Sequence, residues 1–439
     1  MLQNLRQKGW PCTTFLFAFL EGCAIFSYLL IQAYDQEFFD MPLVVALFRI
    51  VIAFFGILLG KPWKDKGFIF VFLLLLIQVI RLCIKDNNLL FTYTASESII
   101  NGLWIAAGCY LLGRILSIEQ LKDFFRVLIA VFLLGTMIHC SIALVNAWVD
   151  KKTINLSGKS YWGIRWGGRL RISYYYPNTA GSALSISGLI ALCALLTERN
   201  KIGKVFYAFA SALIVITLSL TDSRTSFVSF AAGAGVLAGT AMFSMLHKQT
   251  QENKERRMIK KNRCLIIFAS IVCMIAVTAV SFFIEMKIAP VFNAIRSDNS
   301  IIIPTAKAEE EEGKRELANR GISGSDVLNG RNEVWGVVLQ YLHDNPRTLL
   351  FGDSIYQPMA GPNQMMETSM GHCHNMVLQI LLESGLVGLI LVICFVFYTA
   401  RNALRIINCK TLPLWLKLIP AVPISMVVGD LAECFGWFA

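Results

Sequence analysis

The sequence predicts an all-α polytopic membrane protein with about eleven or twelve transmembrane helices. Hydrophobic residues make up 56% of the chain and charged residues 16%. Apolar runs near the ~20-residue bilayer-spanning length recur from end to end. Basic residues collect in alternate connecting segments, as they do in chains that thread a membrane repeatedly. A soluble fold of 439 residues does not have this composition.

Hydropathy and length place the spans at residues 13–33, 42–60, 67–84, 98–116, 124–149, 179–196, 205–220, 225–246, 265–284, 376–399 and 412–432. The first has a basic start, but its apolar run is long, contains Glu21 and precedes no small-residue cleavage site, so it reads as a retained signal-anchor helix. Arg6 and Lys8, Lys61-Pro62-Trp63-Lys64 and the basic segments 114–126, 199–204, 248–263 and 401–410 alternate with the other loops, which puts them and the N-terminus in the cytoplasm. The acidic loop Tyr34-Asp35-Gln36-Glu37 is then outside. So are residues 150–178, Asp222-Ser223-Arg224, the C-terminus and a long polar loop, residues 285–375, between the ninth and tenth spans. Residues 1–439 form one transmembrane domain with that loop inserted into it.

The net charge of +11 follows mostly from this asymmetry, and no nucleic-acid partner is expected. One exterior cluster runs against it: Lys151, Lys152, Lys159, Arg165, Arg169 and Arg171 share a single outer loop. Two readings stand there, an anionic ligand or acidic lipid headgroups or polymer. Of the 12 cysteines, most fall in apolar spans and behave as small hydrophobes, so no structural disulfide is expected. His372-Cys373-His374 lacks a fourth ligand at a recognisable spacing, so no metal and no cofactor are expected. The tract Glu309-Glu310-Glu311-Glu312 reads as a solvated surface of the long loop.

Polar motifs fall on the outer side: Gly168-Arg169-Leu170-Arg171 with Pro177-Asn178, then Ser223-Arg224, then Gly330-Arg331 with Trp335, then His374-Asn375. Three of them directly precede helices expected to start near Thr179, Thr225 and Met376. A helix N-terminus offers unpaired N–H groups and the positive end of the macrodipole, and an arginine beside it adds a planar cationic fork for phosphate oxygens. Asn178 and Ser223 are equally well suited to plain N-capping, and both readings stay open. Val334, Trp335, Val338, Leu339 and Leu342 recur at helical spacing up to Asn345-Pro346, so this part of the loop reads as a short amphipathic helix with Arg331 in its first turn. A cation there opposes the dipole, which suits either a bound anion or a snorkelling arginine. His374, one of 5 histidines, sits at a helix mouth where the dipole favours the neutral imidazole, a base matched to a hydroxyl proton at neutral pH.

In order and spacing these motifs resemble the O-antigen ligase and O-antigen polymerase superfamily of bacterial membrane enzymes. The resembling features are Arg169 nine residues ahead of Asn178 in Pro177-Asn178, Thr221-Asp222-Ser223-Arg224, Gly330-Arg331 with Trp335, and His374-Asn375 followed by a Leu-rich helix with Glu383-Ser384-Gly385. Three tyrosines, Tyr174 to Tyr176, replace the residues usual before Pro-Asn, and relatives often have a further span at the C-terminus.

The resemblance implies a fold like that of type C glycosyltransferases in the bacterial plasma membrane. It implies metal-independent, inverting transfer from a polyprenyl-pyrophosphate-linked oligosaccharide to an acceptor sugar hydroxyl on the outer face. His374, Arg331 and Arg224 are the implied catalytic residues, and Arg169, Arg171, Asn178, Ser223, Trp335 and Asn375 the substrate-binding ones. A flippase and a chain-length regulator of the same pathway are the implied protein partners, alongside membrane lipid. A surface-polysaccharide polymerase, of O-antigen, capsule or exopolysaccharide type, is the expected member. The alternatives are a ligase handing the finished chain to a lipid or protein, a flippase of the same substrate, and a related enzyme using Asp35 or Glu37 as base.

Overall fold

A computed structural model of the chain describes residues 61–85, 116–148, 177–221, 223–252, 331–353, 358–366, 373, 375–409 and 411–434, four short strands between 153 and 170, and scattered positions at 50–58, 272 and 275. The spans expected at 13–33 and nearly all of 42–60, 98–116 and 265–284 lie outside these residues.

The described helices are α1 (Lys66–Lys85), α2 (Ile118–Trp148), α3 (Pro177–Thr197), α4 (Lys201–Ser219), α5 (Arg224–Glu252), α6 (Arg331–Asp344), α7 (Pro346–Phe351), α8 (Ala360–Met366), α9 (Met376–Asn408), α10 (Leu414–Leu418) and α11 (Ala421–Cys434). Within them, 5 segments are long and apolar enough to cross a membrane: Ile118–Val145, Ala180–Thr197, Lys201–Ser219, Thr225–Ser244 and Met376–Asn408. α1, with 20 residues, is of comparable length. Large apolar side chains such as Leu134, Ile138, Val205, Phe209, Ile390 and Phe397 are exposed along these helices, as lipid-facing surfaces require.

Two antiparallel ladders, β1 (Thr153–Leu156) with β2 (Lys159–Trp162) and β3 (Arg165–Trp166) with β4 (Arg169–Leu170), occupy the expected outer loop before α3. The registers end in Leu156↔Lys159 and Trp166↔Arg169, leaving Ser157-Gly158 and Gly167-Gly168 between the strands. Such two-residue glycine loops are a hairpin signature. The expectation of a purely helical chain omitted them.

One helical group is α2, α3, α4 and α5 with α10 and α11, around a core that includes Leu133, Leu189, Ile214, Leu218 and Leu237. Small residues let its backbones approach. A Cβ on Gly188 would lie 2.8 Å from the Phe230 ring, one on Gly233 would meet Leu189 and Ser425, and one on Gly429 would meet Ser229. Ser229 Oγ donates to Ser425 O at 2.7 Å across the α5–α11 contact. Without water to drive helices together, close packing and interhelical hydrogen bonds of this kind hold a membrane bundle.

α1, α6 and α7 gather instead on α9, with α8 packed on α6, and α9 also touches α10 and α11. The expected span at 412–432 is interrupted at Ile419-Pro420, giving α10 and α11, because proline has no N–H to continue the ladder. The expected continuous helix at 376–399 is interrupted as well. α9 runs for 33 residues to Asn408, but Gly385 sits inside it at φ 66° and ψ −169°, a conformation that essentially only glycine adopts. Thirty-three residues of straight helix would reach ~50 Å, well beyond a ~30 Å hydrocarbon core. The break divides α9 into residues 376–384 and 386–408, and the second piece is by itself long enough for the hydrocarbon core.

Contacts also fix which helix ends lie together. Tyr398 Oη donates to Asp65 Oδ2 at 3.0 Å, joining the late turns of α9 to the start of α1. Arg126 near the start of α2 donates to both carboxylate oxygens of Glu198 just beyond α3, at 2.9 and 2.8 Å. Phe125 packs on Trp415 of α10 with ring centres 6.1 Å apart. These bonds bring Lys61, Lys64, Arg126, Arg199, Lys204, Arg405 and Lys417 to one end of the bundle, and leave the starts of α3, α5 and α9 at the other.

Candidate functional site

At the end opposite the basic residues, the starts of α3 and α5 abut. A Cβ on Gly181, in the second turn of α3, would lie 2.6 Å from Ser223 Cβ and 2.6 Å from Ser226 Oγ. Ser223 is buried immediately before α5; its carbonyl accepts the first helical bond from Phe227 N at 3.1 Å, and its hydroxyl pairs with Ser226 Oγ at 2.7 Å. Its environment is thus that of a capping residue at a helix junction. Arg224 is the first residue of α5 and Asn178 the second of α3, whose first residue is Pro177. Arg169 lies in β4, while Arg171 lies outside the described residues.

A second junction joins the other two motifs. α6 begins at Arg331, as its apolar spacing predicts, and buries Val334, Val338 and Leu342 against Leu378, Leu381 and Leu382 of α9, with Met359 and Cys373. Leu339, counted with the same stripe from spacing, is exposed instead. Trp335 packs against this cluster and donates from Nε1 to the carbonyl of Cys373 at 2.9 Å. That bond ties the helix headed by Arg331 to the residue preceding His374.

Both chain neighbours of His374 are held. Cys373 is fully buried; its N–H donates to Gln379 Oε1 at 3.2 Å, and its thiol donates to Asn375 O at 3.3 Å. Asn375 caps α9, accepting from Leu378 N on Oδ1 at 3.1 Å, as its residue type suits it to do. Gln379 continues inward with Nε2 donating to Glu383 Oε1 at 2.7 Å. His374 itself lies outside the described residues. Its mooring was legible only in part: Asn375 stands out as a cap, whereas Cys373 and Gln379 carry no motif signal.

The Glu383-Ser384-Gly385 motif has a physical role that spacing did not disclose. A Cβ on Gly385 would lie 2.3 Å from Leu350 C and Phe351 N, and one on Gly352 (φ 74°, ψ 174°) would lie 2.3 Å from Ser384 N and 2.4 Å from Glu383 O. Backbone therefore meets backbone where α7 enters the break in α9, and each chain needs glycine there. The break frees the Leu382 carbonyl, which accepts from Asp353 N at 2.6 Å. On the other side, Gln78 of α1 donates from Nε2 to Ser384 Oγ. The break thus fixes the loop helices α6 and α7 to the membrane helices α1 and α9.

The structure brings together the motifs of Asn178 with Ser223-Arg224, and those of Arg331…Trp335 with Cys373-Asn375. α11, which packs on both α5 and α9, connects the two pairs.

The chain matches no curated protein. Residues 209–393, less than half of its length, match the O-antigen ligase family model, a stretch that holds the Ser223-Arg224, Arg331…Trp335 and Asn375 junctions and leaves Arg169 and Asn178 ahead of it. Over residues 209–393 this membrane-spanning chain is similar to the O-antigen ligase family.

Proposed function

We propose that the chain polymerises a surface polysaccharide on the outer face of the bacterial plasma membrane, transferring glycan from a polyprenyl-pyrophosphate-linked donor to the hydroxyl of an acceptor sugar. The observation that carries this reading is the Trp335 Nε1 bond to Cys373 O, which pins the helix headed by Arg331 to the segment holding His374. The bond lies within the family-matched region, and it supports a reading in which Arg331 and His374 act on one substrate.

The chemistry divides between them. His374 takes the proton of the acceptor hydroxyl as that oxygen bonds the anomeric carbon of the donor sugar. The bond from that carbon to the pyrophosphate breaks on the opposite face, inverting the configuration, and the charge left on pyrophosphate is met by Arg331 and Arg224. Arg224 opens α5, whose start abuts that of α3, so two positive dipole ends add to the field there. Guanidinium groups and helix ends together are able to supply the stabilisation that a metal ion supplies elsewhere, so the reaction is proposed to be metal-independent. Arg169 and Arg171, on the hairpin side of α3, and Asn178 would extend the same anion-binding surface, with Ser223, Trp335 and Asn375 as positioning residues.

The reading is tested by reconstituting purified protein in liposomes with lipid-linked repeat units. Polymer should form in the presence of EDTA, with the new linkage inverted by NMR. Retained anomeric configuration, or no transfer while lipid-linked substrate crosses the bilayer, would refute the proposal in favour of another transferase chemistry or a flippase.

A further inference from the structure

Both main-chain groups of Cys373, the residue ahead of His374, are bound from different helices. Its carbonyl accepts from Trp335 Nε1 of α6 at 2.9 Å, and its N–H donates to Gln379 Oε1 of α9 at 3.2 Å. On the other side of His374, Asn375 is fixed as the cap of α9. We propose that Gln379 is a positioning residue for the transfer: its side-chain amide clamps Cys373 to the break in α9 by way of Glu383, and so places the segment that carries His374. The inference rests on the transferase reading and deepens it.

Helix geometry lines the parts up. Asn375, Gln379 and Glu383 recur at every fourth residue, which puts them along one face at the start of α9. Gln379 N donates to Asn375 O at 2.8 Å, and Asn375 Oδ1 accepts from Leu378 N. Those bonds start the helix without the Gln379 side chain. What the side chain adds is its reach back past the cap to Cys373. A glutamine in the run Met376-Val377-Leu378-Gln379-Ile380-Leu381-Leu382 forgoes apolar packing, and its amide is instead engaged by the Cys373 N–H, the Cys373 thiol at 3.4 Å and Glu383.

The polarity of the amide is dictated from both ends. The Cys373 N–H offers only a proton, so it takes the amide oxygen, and the amide nitrogen is left for Glu383 Oε1, an acceptor 2.7 Å away. Glu383 lies between the two residues through which the break is held: Leu382, whose carbonyl accepts from Asp353 N, and Ser384, whose hydroxyl accepts from Gln78. The amide thereby ties the chain ahead of His374 to a point where backbone is locked on backbone. Cys373 is fully buried, so water does not readily replace Gln379 as its acceptor.

The test uses the full-length protein in nanodiscs, with N-ethylmaleimide as a probe of the buried Cys373 thiol, read by peptide mapping, and turnover of lipid-linked repeat units. In Gln379→Leu the thiol should react at least tenfold faster than in wild type, and kcat should fall at least tenfold with KM for the donor within threefold. Gln379→Glu should also be impaired, because two carboxyl groups then face each other. Exchanging the pair, Gln379→Glu with Glu383→Gln, restores one acceptor for Cys373 N–H and one amide donor to it, and should bring thiol protection and kcat back to within threefold of wild type. Ser229→Ala, which removes the α5–α11 hydrogen bond, should lower melting temperature and leave kcat unchanged. The proposal is overturned if Cys373 stays protected or kcat holds in Gln379→Leu, if the exchanged pair recovers neither, or if Ser229→Ala loses turnover equally. Failure of the transferase reading looks different: Arg331→Ala would then leave the cell's glycan ladder intact while Cys373 protection still followed Gln379.

Discussion

Replacing Trp335 with phenylalanine keeps an aromatic ring in the α6–α9 cluster and removes the one indole N–H that reaches the Cys373 carbonyl at 2.9 Å. Cys373 is fully buried, so its carbonyl loses this partner in a place where water does not readily replace it. A buried acceptor stripped of its donor costs about 1–3 kcal/mol, a visible drop in melting temperature for protein in detergent. The functional effect should be larger than stability alone explains. The bond registers the helix of Arg331 against the residue before His374, and misplacement of a catalytic group by ~1 Å is able to cost on the order of 100-fold in rate. The assay is the ladder of glycan lengths made by a deletion strain carrying Trp335→Phe, with membrane abundance of the protein measured alongside. Polymer output falling at least tenfold at unchanged abundance is expected. An unchanged ladder in a variant with a lowered melting temperature would show that the junction stabilises the fold without positioning the chemistry.

Gly385→Ala should cost about 3 kcal/mol or more, since it imposes both a glycine-only conformation and a Cβ 2.3 Å from the Leu350–Phe351 backbone; near-normal melting and abundance would contradict the backbone-on-backbone account. Gly181→Ala should separate the starts of α3 and α5 at a cost of about 1–3 kcal/mol and lower glycan output, read by melting temperature and ladder length together. Glu198, at the opposite end, has its carboxyl held below the usual range by the Asn200 N–H first and by Arg126 as well. A lowered folded-state value means a contribution that is full above the ordinary carboxylate pKa near 4.5 and lost as the pH falls below it. The drop in melting temperature from pH 6 to pH 3.5 should therefore be smaller in Glu198→Gln than in wild type, and equal drops would exclude the linkage. Because Arg126 is 52% exposed, Arg126→Met should cost no more than about 1 kcal/mol.

Bilayer thickness made much of the fold legible. The starts and ends of α1, α3 and α4 fall within a few residues of the apolar runs, because both are set by the same ~30 Å. Hydropathy does not report where a helix stops being one helix: Gly385 and Pro420 sit inside runs that read as single spans, and their effect is conformational rather than compositional. Polar ends mislead too, since α5 continues to Glu252 and α9 to Asn408 on residues that are good helix formers outside the bilayer. The hairpins before α3 had a readable signal in Ser157-Gly158 and Gly167-Gly168 that the membrane reading passed over. At the candidate site, residue type and spacing single out Ser223, Trp335 and Asn375, each of which has a defined hydrogen bond. The partners that hold them, Ser226, Cys373 and Gln379, are defined only by three-dimensional contact.

The most direct test of the central claim is the size distribution of lipid-linked and surface glycan in a chromosomal deletion complemented with wild type, Arg331→Ala or His374→Ala. A polymerase with these catalytic residues predicts wild-type abundance of both variants in the membrane, no polymer, and single repeat units accumulating on the lipid carrier. Full-length chains retained on the carrier would instead mark a ligase. A normal surface ladder from both variants would contradict the assignment of Arg331 and His374 to the reaction.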